Sequence, residues 1–597
     1  MHIPYSWALF DPLSLLFIAL ILVISLPSLI YSIGYMRGKY GNNAIRRGWI
    51  LSVGFILSML MVVSSSHILV FLISWELMSL ISFFLVIFDF EKEKSVKAGI
   101  LYIVMAHIGT AFLIIGMAYS YHICGCADIA SLKNALALAS STDKNIIFIC
   151  FSVGFLTKAG AVPLHVWLPY AHPQAPSHIS SIMSGIMIKM GIYGMLRFVI
   201  MPMSPCPLWW GYAIIAIAII SCLVGVMYAL MEHDLKRLLA YHSVENIGII
   251  LLGMGASMIL FKYGLNAIAV LALCAAIYHL INHAVFKSLL FLAAGSIQRA
   301  TGLLNIEKLG GLIKKMPITA VCFLIGALGI SAVPPLNGFV SEWLTFQALF
   351  LGALAGFGVN KIAFGMCAGA LALTGGLAAA CFVKAFAISF CAMPRSQKAA
   401  SAREVGASMT TPMLILSALV IALGIGFAPI LRYLSGVSGN ILSVDSSRMN
   451  FTLNLSMPIL MASLVGCGVL AFAIVSIIAG KRKTTIVRTW DCGYYNLGPK
   501  TEYTATGFSK PFRIAFSFFL RPYIKTRKTM DSLYHLRSQD YELYTTPVIK
   551  KYIYDFSLRA ILFFAKRFRR LQAGSIHLYL AYIFIVLVGL IVFINRF

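Results

Sequence analysis

About fourteen runs of roughly twenty apolar residues follow one another along this 597-residue chain, each long enough to cross a bilayer as a helix. Inside lipid every backbone N–H and C=O needs a partner within the protein, which leaves helices or a closed barrel. The runs are too long and too continuously apolar for barrel strands, which alternate over about ten residues. The chain therefore reads as an all-α polytopic membrane protein. Composition agrees: 60% of residues are hydrophobic, 11% are charged, and mean hydropathy is +0.89. Soluble domains hold about 45–50% apolar and about 25% charged residues.

Spanning helices are expected near 12–34, 47–65, 67–88, 98–121, 145–163, 178–200, 208–230, 238–256 and 265–296. Others are expected near 317–356 (a broken one), 362–392, 411–434, 455–480 and 575–595. Residues 509–574 mix aromatics with regularly spaced basic residues, too charged to cross and too apolar for a plain linker. An amphipathic helix lying along the membrane surface fits them. The final apolar helix then anchors the far end.

The formal net charge of +27 would point to nucleic acid on a soluble chain. Here the basic residues lie mostly in loops or in the C-terminal stretch, so topology and anionic lipid account for them and no nucleic-acid partner is expected. Taking the side reached after the first helix as inside, its loops hold Arg37, Lys39, Arg46 and Arg47, then Lys92, Lys94 and Lys97, then Lys236 and Arg237. Arg299, Lys308, Lys314 and Lys315 follow, then Arg395, Lys398 and Arg403, then Lys481, Arg482 and Lys483. The opposite loops are sparser, which places the N-terminus outside a prokaryotic inner membrane. The first apolar run has no basic leader, so no cleavable signal peptide is expected. The 12 Cys are scattered, with Cys124-Gly-Cys126 as the one close pair and no CxxC spacing. Buried Cys acts as a small hydrophobe, and no metal, cluster or other cofactor is expected in this chain.

Several charges interrupt the apolar runs: Glu76, Lys158, Lys189, His279, His283, Lys287, Glu342 and Lys384. Each costs about 2.5–3.5 kcal/mol at the bilayer centre even on the lenient insertion scale. Two acids stand among six bases along the sequence, a mixture that suits ion pairs and proton carriers. Structural ion pairs are the competing reading, and Lys384 and Lys287 could instead snorkel towards helix ends. His279 and His283 lie at i, i+4 on one helix face, a spacing that could hold a metal. Lys287 lies one turn further on that face, and a cation beside a metal is unfavourable. A hydrated proton relay through neutral imidazoles fits better.

Prolines break two of the runs. Pro163 opens one break, in GFLTKAGAVPLHVWLPYAHPQAPSH, and Pro334 and Pro335 make the other, in SAVPPLNGF. Broken backbone survives in a membrane only where protein or water satisfies the freed groups. Paired broken helices in corresponding places are a pointer to inverted repeats. One half runs a broken helix with Lys158 and then a helix with Lys189; the other runs a broken helix with Glu342 and then a helix with Lys384. Counterparts lie five helices apart, so the copies have opposite orientation. The expected organisation is an N-terminal helix over 1–46, a first inverted repeat over 47–207 with its broken helix near 145–177, and a second over 208–403 with its broken helix near 317–356. Additional helices and a loop occupy 404–508, the amphipathic helix 509–574, and the last span 575–597.

These motifs carry a resemblance. KAGAVPLHVWLPYAHPQAPSHISSIMSGIMIKMGIYGMLR, DLKRLLAYHSVENIGII, INHAVFKSLLFLAAG and PPLNGFVSEW resemble the signature of the antiporter-like, proton-pumping subunits of complex I and of multisubunit sodium/proton antiporters. The glutamate of HSVENIG and the segment RTWDCGYYNLGPKTEYTATGFSKP are similar to the branch of hydrogenase-4 component B and formate hydrogenlyase subunit 3, of the membrane-bound group 4 [NiFe]-hydrogenases. The resemblance implies that Glu76 pairs with Lys158, that Lys189 is the next carrier of an input half-channel, and that His279, His283 and Lys287 form a central polar axis. It implies that Glu342 stands near the exit and that the amphipathic stretch straps neighbouring subunits together. Members usually carry two further helices ahead of the one beginning DPLSLLF; those lie away from the charged axis.

The expected activity is translocation of protons or sodium, driven by electron transfer in partner subunits: other membrane subunits and, through them, a soluble electron-transfer arm. The chain itself shows no dinucleotide fingerprint and no cluster-ligating Cys set. The alternatives are a stand-alone or small-complex cation/proton antiporter, an inorganic-carbon uptake subunit, or a passive membrane anchor.

Overall fold

The computed structural model of the chain describes residues 10–356, 358–445, 457–480, 487, 490, 492–494, 496–531, 535–545, 547–569 and 576–594. Lys481, Arg482 and Lys483, part of the loop-charge pattern, lie outside the described residues. Two units are present, Met1–Phe512 and Arg513–Phe597.

Among the described residues, twelve helices are long and apolar enough to cross a membrane. In the first unit they are Pro12–Met36, Asn42–Ser64, Ile68–Val86, Glu93–Cys124, Ser177–Met203, Leu208–Met231, Leu235–Lys262, Asn266–Thr301, Asn337–Ala355, Val359–Phe390, Ala407–Ile425 and Ala462–Ala479. Capping chemistry marks some helix starts, that of Ser141–Ala159 included. Asp11 accepts from the Ser14 amide with Pro12 in the first turn, Asp234 accepts from Arg237, and Ser140 from Asp143. Gly125, Gly160 and Gly302 end helices in the left-handed region.

The architecture agrees with the polytopic all-α reading, with twelve such helices among the described residues against about fourteen expected. The span expected at 145–163 appears as Ser141–Ala159, which is not among the twelve, and of the broken crossing expected at 317–356 only Asn337–Ala355 is. Two further differences are local. A helix at Ile129–Leu138, capped by Asp128, is too short to register as a span. The span expected at 411–434 is interrupted at Gly426, giving Ala407–Ile425 and Phe427–Leu442.

Asn266–Thr301 is the hub. At 36 residues it is about 54 Å long, and it packs against Pro12–Met36, Ser177–Ile182, Leu235–Lys262, Pro317–Ile330, Asn337–Ala355, Ala407–Ile425 and Phe427–Leu442. It is therefore buried along most of its length, His279, His283 and Lys287 included. Leu208–Met231 and Leu235–Lys262 approach through small residues. A Cβ on Gly225 would sit 2.6 Å from the Glu245 amide nitrogen, and one on Gly248 2.7 Å from that of Cys222. Such small-residue seams let helices pack without a hydrophobic drive from water.

Both breaks occur at the expected prolines. The first separates Ser141–Ala159 from Leu168–Gln174; the second separates Pro317–Ile330 from Asn337–Ala355. Protein groups satisfy the irregular backbone. Trp167 Nε1 donates to the Thr157 carbonyl at 2.9 Å, and the Val162 amide donates to Ser221 Oγ at 3.0 Å. At the second break Asn282 Nδ2 donates to the Asn337 carbonyl at 2.8 Å.

The single amphipathic helix expected over 509–574 is segmented. Helix Ala505–Ala515 begins in the first unit, and in the second a hairpin follows in which β1 (Pro522–Met530) pairs antiparallel with β2 (Leu536–Thr545). The helix Asp555–Phe568 and the final apolar helix Ile576–Ile594 complete it. Tyr523, Ile524, Thr526 and Thr529 explain the interruption: aromatic and β-branched side chains favour a pleated strand over a helix.

Candidate functional site

Lys158 stands in the last turn of Ser141–Ala159, directly before the first break. It is 3% exposed. Its Nζ donates to Ser79 Oγ at 2.9 Å and to Tyr102 Oη at 3.0 Å, and Tyr102 Oη lies 2.6 Å from Ser82 Oγ. The rings of Tyr102 and Trp75 lie 5.4 and 5.8 Å from the ammonium, in cation–π range. The helix behind Lys158 is held close by Gly191, where a Cβ would meet the Phe155 carbonyl at 2.4 Å.

Glu76 is not in contact with Lys158, contrary to the pairing that the resemblance implied. Its Oε2 lies 3.5 Å from His107 Nε2, with the two side chains 34% and 59% exposed. Helix geometry gives the reason. Trp75, Ser79 and Ser82 share the inward face of Ile68–Val86, and Glu76 is turned about 100° from Trp75. The carboxylate remains within electrostatic reach of Lys158.

The second grouping is built around the hub. Lys189 follows a π-helical turn, Met183–Met187, within Ser177–Met203, and its Nζ donates to the Ser184 carbonyl at 2.5 Å. Widened turns of this kind are frequent at functional sites. His279 lies between two helices: Nδ1 is 3.0 Å from Ser341 Oγ and Nε2 is 3.1 Å from Asn246 Oδ1. Lys287 Nζ donates to the Leu239 carbonyl. His242 Nδ1 meets Glu245 one turn along Leu235–Lys262, and both are buried. Both ring nitrogens of His283 and of His172 are buried with no hydrogen-bond partner. Lys189 interacts electrostatically with Lys287, Lys287 with Glu245, and Glu245 with Glu342.

Glu342 is buried at 6% exposure on Asn337–Ala355 and faces Gly375, whose Cβ would lie 3.6 Å from Oε2. Lys384 makes its own hydrogen bonds at a helix end, with His242 within electrostatic reach. Its Nζ donates to the carbonyls of Leu230 at 2.5 Å and Glu232 at 2.9 Å, capping the end of Leu208–Met231, where a cation is favoured. Beside it, burial pushes the Glu232 carboxyl up against the opposing pull of Arg237.

The structure thus brings Lys189, His279, His283, Lys287 and Glu342 around one helix, and sets Lys158 in a separate grouping of hydroxyls with Glu76 off to one side against His107. Sequence reasoning missed Ser79, Tyr102, His107 and His172; it singled out Glu245, the glutamate of HSVENIG, but not its pairing with His242. It also read Lys236 as a loop charge. Lys236 is 1% exposed and donates to the Ala175 carbonyl at 2.9 Å. Asp234 caps the helix ahead of it, and that N-cap pattern was a usable signal that Lys236 sits inside a first turn.

Comparison with known proteins gives concordant matches. Residues 65–371 match the family described as NADH:quinone oxidoreductase/Mrp antiporter, TM, and residues 2–44 match NADH-Ubiquinone oxidoreductase (complex I), chain 5 N-terminus. The chain is 37% identical to hydrogenase-4 component B of Escherichia coli K12, over 98% of this chain and 88% of that protein. It is 34% identical to formate hydrogenlyase subunit 3 of the same organism, over 79% and 74%. A solved chain of the membrane-bound sulfane sulfur reductase, an archaeal respiratory membrane complex, shares the fold with a TM-score of 0.75. That match has 24% identity and covers 98% of this chain and 89% of the other.

Proposed function

The chain belongs to the NADH:quinone oxidoreductase/Mrp antiporter membrane-subunit family, and we propose that it translocates protons, or sodium, as one subunit of a redox-driven membrane complex. The carrying observation is Lys158, an ammonium buried mid-molecule whose hydrogen-bond acceptors are neutral hydroxyls. Such an ammonium can release its proton without stranding a contacting counter-ion. The Glu76 charge, set off to one side, favours the protonated form when it is near, while desolvation favours the neutral one. Movement of Glu76 or of its His107 partner would then load or unload Lys158.

Lys189, His279, His283 and Lys287 continue the path around the hub, and Glu342 and Lys384 serve as its further carriers. The unpartnered nitrogens of His172 and His283 are where bridging water would complete a relay, because buried polar groups of this kind bind ordered water. The two broken crossings support an inverted-repeat design, each being followed by a helix that carries a lysine. The driving energy would come from electron transfer in partner membrane subunits and a soluble arm; the chain would contribute carriers and no redox centre. The basic loops favour an N-terminus outside the inner membrane.

The test uses the complex in native membrane vesicles. Lys158→Met should insert at wild-type level and stop electron-driven ion uptake. Uptake at the wild-type rate would overturn the proposal. Subunits that co-purify with the chain and carry a redox centre support the redox-driven reading over a stand-alone antiporter.

A further inference from the structure

The segment TEYTATGFSKP takes no part in the path just described, yet several side-chain hydrogen bonds clip it to the bundle. Glu502 accepts from the Met393 amide at 2.8 Å and pairs with Arg395 Nη2 at 3.3 Å. Arg395 also donates to the Tyr503 carbonyl at 3.2 Å and, through Nη1, to the Ile388 carbonyl at 2.8 Å. Ile388 belongs to Val359–Phe390, the helix that carries Lys384. Thr506 and Ala505 then donate their amides to Glu307 at 2.7 and 3.3 Å, and the Thr506 hydroxyl adds a third bond at 2.7 Å. This carboxylate caps the first turn of Ala505–Ala515 from outside the helix, which suits the dipole.

One turn on, Ser509 is buried at 1% exposure and donates to the Leu230 carbonyl at 2.7 Å. Lys384 donates to that same carbonyl. The segment is therefore fastened to both sides of the Lys384 contact. Through Arg395 it holds the helix from which the lysine projects, and through Ser509 it holds the helix end that the lysine caps.

We propose that residues 502–509 form a clip that positions Lys384 on the Leu230 and Glu232 carbonyls, with Ser509 as the positioning residue, so that the clip sets how readily Lys384 exchanges its proton. This rests on the reading of the chain as an ion-translocating subunit. The Ser509 hydroxyl and the ammonium share one carbonyl oxygen. Removing the hydroxyl leaves that oxygen to the ammonium alone and ties it more firmly. The titratable groups that face Lys384 from the surrounding elements are Glu232, Glu307, Cys381 and His242, and Ser509→Ala changes none of them.

The experiment compares Ser509→Ala, Ser509→Thr and Lys158→Met in the complex in native membrane vesicles, at equal amounts of inserted chain, by electron-driven ion uptake across a pH series. Ser509→Ala should slow uptake roughly threefold and move its half-maximal pH upward by about half a unit, the scale of one hydrogen bond. Ser509→Thr keeps the hydroxyl and should restore both. Loss of Ser509 with an unchanged rate and pH profile overturns the clip, and so does a slower rate with an unmoved profile that Thr fails to rescue. If Lys158→Met also leaves uptake intact, it is the underlying translocation reading that fails. If Lys158→Met stops uptake while Ser509→Ala has no effect, only the clip is lost.

Discussion

Asp11 and Arg197, 186 positions apart in the chain, form a two-pronged ion pair: Arg197 Nη1 donates to Oδ2 at 2.5 Å and Nη2 to Oδ1 at 2.7 Å. The same carboxylate caps the first spanning helix through the Ser14 amide. The bond ties the start of Pro12–Met36 to the far end of the helix that carries Lys189. Breaking one side leaves the other charge partly buried and unpaired.

Burial raises the Asp11 carboxyl, but the hydrogen bonds and charge of Arg197 outweigh it and hold the group below its ordinary value. A lowered folded value contributes stability that is complete above the unfolded Asp value of about 3.9 and is lost as pH falls through the folded one. Asp11→Asn should therefore lower the unfolding midpoint of the detergent-solubilised chain at neutral pH, by about 2 kcal/mol. The gap to wild type should close only in strong acid. A gap that is constant with pH would show that the charge is irrelevant.

Tyr102→Phe removes one of the two hydroxyls that hold Lys158 and leaves the ring in place. Ion uptake should fall roughly tenfold, the scale of one hydrogen bond to a charged group. Glu76→Gln should be milder than Lys158→Met, since Glu76 does not touch the lysine. Equal loss in both variants would mean that the carboxylate meets the ammonium during turnover.

Glu342 has no hydrogen bond or ion pair among the described residues, so its carboxyl is free to carry a proton. Glu342→Gln keeps the shape and cannot exchange a proton at neutral pH. Ion uptake should drop about 100-fold or more, the usual scale for losing a proton-transferring group. Glu342→Asp should retain a measurable rate. Wild-type uptake by Glu342→Gln in the vesicle assay would remove Glu342 from the path.

Gly225→Ala and Gly248→Ala place a methyl group against backbone atoms that have nowhere to move. Each should destabilise the folded chain by about 1–3 kcal/mol, read as a lower melting temperature in detergent. Gly369→Ala meets nothing within 4 Å and serves as the neutral comparison.

The spans, the prolines at the two breaks and the buried charges were legible because each leaves a local mark: a twenty-residue apolar run, a Pro, a lone ionisable residue inside it. What stayed hidden is relational. That Lys158 would meet Ser79 and Tyr102 rather than Glu76 depends on the rotation of one helix against another, and an offset of one residue in the contact face decides it. Lys236 read as a loop charge because a helix start and a loop share the same polar composition; the Asp234 cap separates them. The hairpin within 522–545 was masked by regularly spaced basic residues, which satisfy an amphipathic helix and an exposed strand alike. The Thr506–Glu307 and Ser509–Leu230 contacts bridge about 200 and 280 positions, and no sequence period reports such distances.

The Glu76–His107 pair carries a consequence for biogenesis. It sits at mid-height on the helices Ile68–Val86 and Glu93–Cys124, yet it is a third to more than half exposed on the isolated chain. Against hydrocarbon tails such a pair is penalised; against another protein's polar side chains it is not. The bilayer would thus act as a proofreader, leaving the orphan chain strained at one spot and releasing that strain when a neighbour is seated there.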